Sequence, residues 1–416
     1  MNNNLFDTYL ESMNFLNEIS VKHPSAISFG SGRPNEEFFN VEEVVLGIKD
    51  FVKKNKPRNM DENAYFNYLG QYNFTKGIIN EYIAKLVYND EGITIDSEDI
   101  IITDGAQEAM AIVINSLFSS KKDVLMVSEP SYIGFIGYAK IAGVNVCTIK
   151  RKNQSIDMDD LEDTVINLIK QGKKPKVLYE VPDFHNPTGS YMPLSERKKI
   201  IELAEKYDFY IVEDNPYGYY IYDTEKIPTL KAIDKYKRVI HIGSFSKTIF
   251  PSMRLGYLLA DGKIKHNNVS YSLSEMLKKV KSFITVNSSV ILQAMLGAVL
   301  EKENYSLKAL CKPKVESCMK NRNILIDTIG RCIGHGLNWQ KPLGGFFMSL
   351  DIPFSLTDSL ILECVEKYSV IVCPMYMFCI NKSQGTNQIR IAFSNLTEKQ
   401  IEDGLERLAK FIRSKS

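Results

Sequence analysis

The chain has 416 residues, 44% of them hydrophobic and 24% charged, with 51 Lys and Arg against 50 Asp and Glu. A formal net charge of +1 sets aside nucleic acid and anionic membrane surfaces as partners, and the length suits a large core divided between two domains. Seven cysteines with no CxxC pair fit a reducing compartment, the cytoplasm, better than a disulfide framework.

Residues 1–25 read as a short amphipathic arm with no basic segment followed by an apolar core, so no signal peptide is expected, and no apolar run reaches transmembrane length. Ile27-Ser28-Phe29-Gly30-Ser31-Gly32-Arg33-Pro34 is turn-rich, and its glycines let a backbone approach a ligand closely. Tyr65 to Gly70 precedes a helical pattern that carries Ile78, Ile79, Tyr82, Ile83, Leu86 and Val87 on one face. From residue 98 short apolar strands (100–103, 124–127, 144–149, 177–181, 210–212, 239–242) alternate with amphipathic segments such as 107–118 and 194–207. That alternation predicts an α/β fold with a mostly parallel sheet sandwiched by helices. After residue 290 the pattern changes to helices over 291–300 and 317–329, a strand over 346–350, a helix over 358–367, strands over 370–373 and 389–393, and a last helix over 398–412. The expected organisation is an N-terminal arm (1–45) contributing to the small domain, a large domain (46–290) and a smaller α+β domain (291–416).

Chemistry-bearing residues stand at strand ends. Asp104-Gly105-Ala106-Gln107 closes one strand and opens a helix, where backbone N–H groups and the helix dipole favour an anion. Asn186-Pro187-Thr188-Gly189 is a turn signal after the strand at 177–181. Asp214 ends the strand at 210–212, where a buried carboxylate pairs naturally with a buried cation, and Glu213 points the other way. After the strand at 239–242, Gly243-Ser244-Phe245-Ser246-Lys247-Thr248 runs on to Arg254-Leu255-Gly256, followed by a second apolar run over 255–260. The hydroxyls and Arg254 suit a phosphate, and a desolvated lysine beside a cation suits a carbonyl of the same ligand. By itself the segment is also what a solvated surface loop looks like. Arg390 lies in the alternating apolar strand Gln388-Ile389-Arg390-Ile391-Ala392-Phe393, where it requires an anion.

The order and spacing of these segments resemble the fold type I pyridoxal 5′-phosphate (PLP) aminotransferases of class I/II, aminoadipate/kynurenine-like, over about residues 25–412. The match is most specific around Lys247 and Asn186. The resemblance implies that Lys247 carries the cofactor covalently. It gives the phosphate to Gly105, Ala106, Gln107, Ser244, Ser246 and Arg254, with Tyr68 reaching a partner's phosphate across a homodimer; Tyr65 reads equally well as a core aromatic. It implies that Tyr132 stacks on the pyridine ring, that Asn186 and Tyr217 hold the phenolic oxygen, and that Asp214 faces the ring nitrogen. Arg390 would grip the substrate α-carboxylate, with Gly32, Arg33 and Asn186 beside the substrate. Arg33, His185 and the methionines of Pro374-Met375-Tyr376-Met377-Phe378 depart from the common members, which leaves the side-chain pocket open.

The resemblance implies a cytoplasmic homodimer that moves an amino group between an L-amino acid and a 2-oxo acid, with glutamate and 2-oxoglutarate as one pair. Elimination, decarboxylation or oxidative and cyclising chemistry on the same scaffold is the alternative. Arg33 either reads a second anionic group or pairs with Glu36 or Glu37 at the surface. Ser244-Phe245-Ser246-Lys247 also satisfies S-x-x-K, but the companion S-D-N and K-T-G motifs of serine acyl-enzymes are missing. A regulator that fuses a winged helix to this scaffold needs a basic domain ahead of residue 25, so an enzyme is expected. No metal site is expected.

Overall fold

An eight-stranded mixed sheet carries the molecule, seen in a computed structural model that describes residues 3–11, 18–333 and 337–415. Its order is Ile100–Thr103, Gly256–Leu259, Val239–Ser244, Tyr210–Asp214, Lys174–Glu180, Asp123–Glu129, Asn145–Lys152, Ser155–Ile156. The five strands from 239–244 to 145–152 run parallel, while 256–259 and 155–156 are antiparallel to their neighbours.

Helices cover both faces, which explains why the central strands read as unbroken apolar runs. Ile240, Ile242, Val212 and Tyr179 enter one core with the helix Ala106–Leu117, and Ile211, Leu178, Val239 and Met126 enter another with the helices Met158–Lys170 and Leu194–Lys206. The parallel strands therefore present Glu129, Glu180, Asp214 and Ser244 at one common edge, where an open α/β sheet receives its ligand.

A three-stranded antiparallel sheet (Phe347–Asp351, Gln388–Ala392, Cys373–Pro374) stands over that edge, backed by the helices Asp358–Tyr368 and Glu398–Arg413. The last helix starts in a capping box, Thr397 with Gln400, and buries Ile401, Leu405, Leu408 and Ile412 at helical spacing.

Several elements differ from the sequence reading for physical reasons. The strand expected over 370–373 divides, because Val370–Ile371 pairs with Ile27–Ser28 while Cys373–Pro374 pairs with Arg390 and Ile389. Residues before the helix Asn80–Glu91 form a helix of their own, Glu62–Leu69, capped by the Asp61 carboxylate on the Ala64 N–H. The helix Val290–Lys302, which the sequence pattern attaches to the second domain, packs Val290, Ala294 and Leu300 against Ile83, Ile100 and Ile102. In the N-terminal arm, Tyr9 packs into the large-sheet core and Ile27 and Phe29 into the small-sheet core; residues 12–17 of that arm lie outside the described residues.

The helix expected over 317–329 extends over Lys308–Cys332, and its buried side chains enter three cores in turn: Cys311, Cys318, then Leu325 with Ile329. Lys314 Nζ on this helix donates to the Thr248 carbonyl, and Asn321 Nδ2 donates to the carbonyls of Phe393 (2.9 Å) and Leu396 (2.8 Å).

The turn 186–189 is where the two sheets touch. Gly189 has φ +75°, and a Cβ there would stand 2.3 Å from the Phe347 carbonyl oxygen. Gly189→Ala is expected to destabilise the fold by at least ~1–2 kcal/mol through the left-handed backbone alone. A lowered denaturant midpoint would show it; an unchanged midpoint would mean that the turn relaxes freely.

Candidate active site

A cavity of about 320 Å³ opens at the carboxyl edge of the large sheet and is closed from the other side by Gly32, Phe347 and Arg390. Lys247 projects into it from the segment after Val239–Ser244. Its Nζ donates to the Gly32 carbonyl at 3.1 Å, and its own carbonyl accepts from Tyr220 Oη at 2.6 Å. Burial, with Arg390, Arg254 and Arg33 nearby, pulls the ammonium down to about 8, against an opposing pull from Asp214.

One end of the cavity is built for an anion. The turn 104–107 leaves the strand Ile100–Thr103 with Gly105 at φ +80° and begins the helix Ala106–Leu117, whose first N–H groups have no partner within the helix. Arg254, left-handed at φ 47°, donates to Ser246 Oγ (3.4 Å) and to the Asp104 carbonyl (3.3 Å). A Cβ on Gly105 would lie 2.5 Å from Arg254 Nη2, so glycine is what lets turn and arginine meet. Ser244 and Ser246 line the same end, and Gln107 Nε2 donates to Tyr132 Oη at 2.9 Å.

The floor holds Asp214. Tyr179 Oη donates to its Oδ2 at 2.8 Å, while Oδ1 is buried and has no hydrogen-bond partner among the described residues. Burial pushes this carboxyl up to about 6, although Tyr179, His241 and Lys247 all act to lower it. Glu213 faces the other side of the sheet, as strand alternation requires. It accepts the Leu230 and Lys231 N–H groups at 2.6 and 2.9 Å and meets His241 Nδ1 at 2.9 Å. Tyr217 is buried beside Asp214, and burial raises its phenol well above the usual range.

Arg390 lies opposite Ser349 on one neighbouring strand and Cys373 on the other. Its guanidinium is held between the rings of Phe347 and Phe378, 4.4 and 4.6 Å from their centroids. Nη1 donates to Asn186 Oδ1 at 2.8 Å and Nη2 to the Gly30 carbonyl at 2.5 Å, while the buried Nε has no hydrogen-bond partner among the described residues.

Gly32, Ala106, Gln107, Tyr132, Asn186, Asp214 and Tyr217 thus meet Ser244, Ser246, Lys247, Arg254 and Arg390 around one cavity. Three site residues singled out in the sequence, Gly105, Tyr68 and Arg33, do not line it; Gly105 shapes the turn behind Ala106. Tyr68 is exposed and stacked on Tyr65, with centroids 5.8 Å apart. Arg33 is exposed, and among the described residues it forms no ion pair with Glu36 or Glu37. His185 is buried behind the 186–189 turn on Thr188 Oγ1 (2.9 Å), and burial pushes its imidazole well below its usual range.

Sequence reasoning missed Tyr179, Phe347 and Phe378. None stood out: Tyr179 shares its strand, 177–181, with the more conspicuous Glu180. A larger cavity of about 540 Å³ lies behind Ile249 and Phe250; its charged lining, such as Glu43, Asp50, Lys54 and Lys302, comes from the helices Val41–Leu46, Ile48–Asn55 and Val290–Lys302 and not from the strand ends that carry Asp214 and Lys247.

The sequence profile of the aminotransferases of class I and II matches residues 26–408. The chain belongs to that family. Over 421 residues this aminotransferase is 34% identical to an (S)-3,5-dihydroxyphenylglycine transaminase of Amycolatopsis orientalis, covering 100% of this chain and 94% of the relative. It is 29% identical to aromatic-amino-acid aminotransferase 1 of Thermococcus litoralis, covering 94% and 89% of the two chains. The kynurenine aminotransferase of Pyrococcus horikoshii, solved with PMP, superposes with a TM-score of 0.84 at 26% identity, covering 97% of this chain and 94% of that one. The fold is that of the fold type I PLP-dependent aminotransferases.

Because Asp214 is raised above the usual carboxyl range, its ionised form opposes folding as pH rises through about 6 in the cofactor-free aminotransferase. Asp214→Asn is expected to keep or raise the thermal midpoint of the apoenzyme at neutral pH. A clear drop, read by calorimetry, would contradict this account of the site.

Proposed function

We propose that this aminotransferase holds PLP in the 320 Å³ cavity and moves an amino group between an L-amino acid and a 2-oxo acid. One observation carries the reading: the buried, unpartnered Oδ1 of Asp214 at the cavity floor. An ionised carboxylate there requires a cationic N–H, which a protonated pyridine ring provides. The anion end fits the phosphate in the same way. When bound, PLP supplies a carbonyl that takes up the amino group and a ring that accepts electrons from the substrate Cα.

This chain's residues do the rest. Arg254, Ser244, Ser246 and the turn through Gly105, Ala106 and Gln107 bind the phosphate. Tyr132 covers one ring face, while Asn186 and Tyr217 donate toward the phenolic oxygen. Arg390, already oriented between two rings, takes the substrate α-carboxylate on its fork and fixes which Cα bond faces Lys247. Lys247 Nζ, with its pKa near 8, is neutral often enough near neutrality to attack a carbonyl and then to move a proton at Cα.

We assign glutamate with 2-oxoglutarate to one half-reaction. Arg33 supports this, since it is unpaired by Glu36 or Glu37 and near enough to depress Lys247. For the other we favour an aromatic amino acid; the apolar lining by Phe347, Tyr132 and Met110 and the activities for which the two relatives are named support it. A homodimer accounts for Tyr68, which is exposed and off its own chain's cavity. The cytoplasm suits seven free thiols, and among the described residues no helix is long and apolar enough to cross a membrane.

Two experiments test this reading. Mixing apoenzyme with PLP is expected to give a covalent-capture rate that rises with pH up to about 8 and then levels. Capture should be absent in Lys247→Ala. A rate that climbs on toward the ordinary lysine value of about 10.4 would show that Lys247 is not the depressed amine. In a screen of amino donors against 2-oxoglutarate and pyruvate, Arg33→Leu is expected to lose about tenfold or more in kcat/KM for dicarboxylic substrates, with aromatic donors within about twofold. A uniform loss would remove Arg33 from substrate recognition.

A further inference from the structure

Beneath the anion end lies a charged group that the chemistry above does not use. Glu108, in the first turn of the helix Ala106–Leu117, is buried, and its Oε2 accepts the Asp104 N–H at 2.6 Å. The other side of that residue, the Asp104 carbonyl, accepts from Arg254 Nη2 at 3.3 Å. One carboxylate therefore fastens the turn, and through it the arginine. Taken alone it is badly placed, because a buried negative charge one helical turn below a phosphate site repels what the site receives.

Lys281 resolves the conflict. It comes from a distant helix, Leu273–Ile284, is fully enclosed, and places Nζ 2.9 Å from each oxygen of Glu108. Its remaining donors meet Thr285 Oγ1 (2.9 Å) and Ser288 Oγ (3.0 Å); Thr285 Oγ1 also donates to Glu108, and Ser288 Oγ donates to the Ile102 carbonyl at 3.3 Å. The ammonium is thus saturated, pairs with no other carboxylate among the described residues, and is tied through Ser288 to the strand that leads into the turn.

We infer that Glu108 and Lys281 are positioning residues for the phosphate end of the cofactor: Glu108 shapes the turn, and Lys281 cancels the charge that Glu108 brings. The inference rests on the assignment of the phosphate to this turn. It makes the two residues unequal in a way that a merely structural ion pair would not. Losing Lys281 leaves a bare anion beneath the phosphate. Glu108→Gln keeps an acceptor for the Asp104 N–H and leaves a cation there.

The test is non-covalent binding to apoenzyme at about pH 8.5, followed by ring fluorescence, with pyridoxamine 5′-phosphate compared with pyridoxamine. Wild type is expected to prefer the phosphorylated probe by about a hundredfold or more. Lys281→Met should weaken the phosphorylated probe about tenfold or more and pyridoxamine by less than about threefold, while Glu108→Gln should weaken neither by more than about threefold. The double variant Glu108→Gln with Lys281→Met, which buries no charge, should return close to wild type, and it serves as the test should Lys281→Met alone fail to fold. Equal losses for both probes, a Glu108→Gln defect as large as that of Lys281→Met, or a phosphate-specific defect in the double variant would each overturn the inference. A wild type that did not distinguish the two probes would overturn the phosphate assignment itself.

Discussion

Burial acts on Asp214 and Lys247 toward one end: it raises the carboxyl to about 6 and lowers the ammonium to about 8. Among the described residues neither group forms an ion pair, and a protein interior tolerates this only when the surroundings cannot collapse onto them. The two sheets provide that resistance. Asp214 is pinned by Tyr179 from the next strand, and Arg390 by two phenyl rings and a backbone carbonyl. On the far side of the sheet Glu213 and Glu91 flank His241 and, against the effect of burial, raise its imidazole above its usual range. In its protonated form that imidazole, one strand over from Asp214, favours the ionised carboxylate. The site is a set of charges held apart by packing.

The parts of this arrangement that were legible in the sequence share a property: each depends on a residue and its immediate neighbours. Parallel strands buried on both faces leave apolar runs, and the residue that ends such a run must lie at the sheet edge, which is why Asp214, Asn186 and Lys247 could be placed before any contact was known. Arg390 could be placed because a charged residue in an apolar strand demands an explanation. What stayed hidden depends on contacts between distant segments. Phe378 reads as an ordinary apolar residue until the fold sets it against Arg390, and Tyr179 reads as a strand aromatic until its hydroxyl meets Asp214. The divided strand at 370–374 was hidden for the same reason, since its two halves answer to partners at residues 27–28 and 389–390.

The helix Lys308–Cys332 has a geometric effect on the site. Lys314 holds the backbone next to Lys247, and Asn321 holds the end of the strand that carries Arg390. Seven residues separate them, two helical turns, so both side chains leave the same stripe of the helix about 10 Å apart. The spacing between the backbone beside Lys247 and the strand end beside Arg390 is therefore metered by helix pitch. A single residue inserted between 314 and 321 would turn one anchor by about 100° relative to the other and detach it. The helix is a ruler between two segments of the chain: it sets how far the backbone beside Lys247 lies from the strand end beside Arg390, independently of anything in the side-chain pocket.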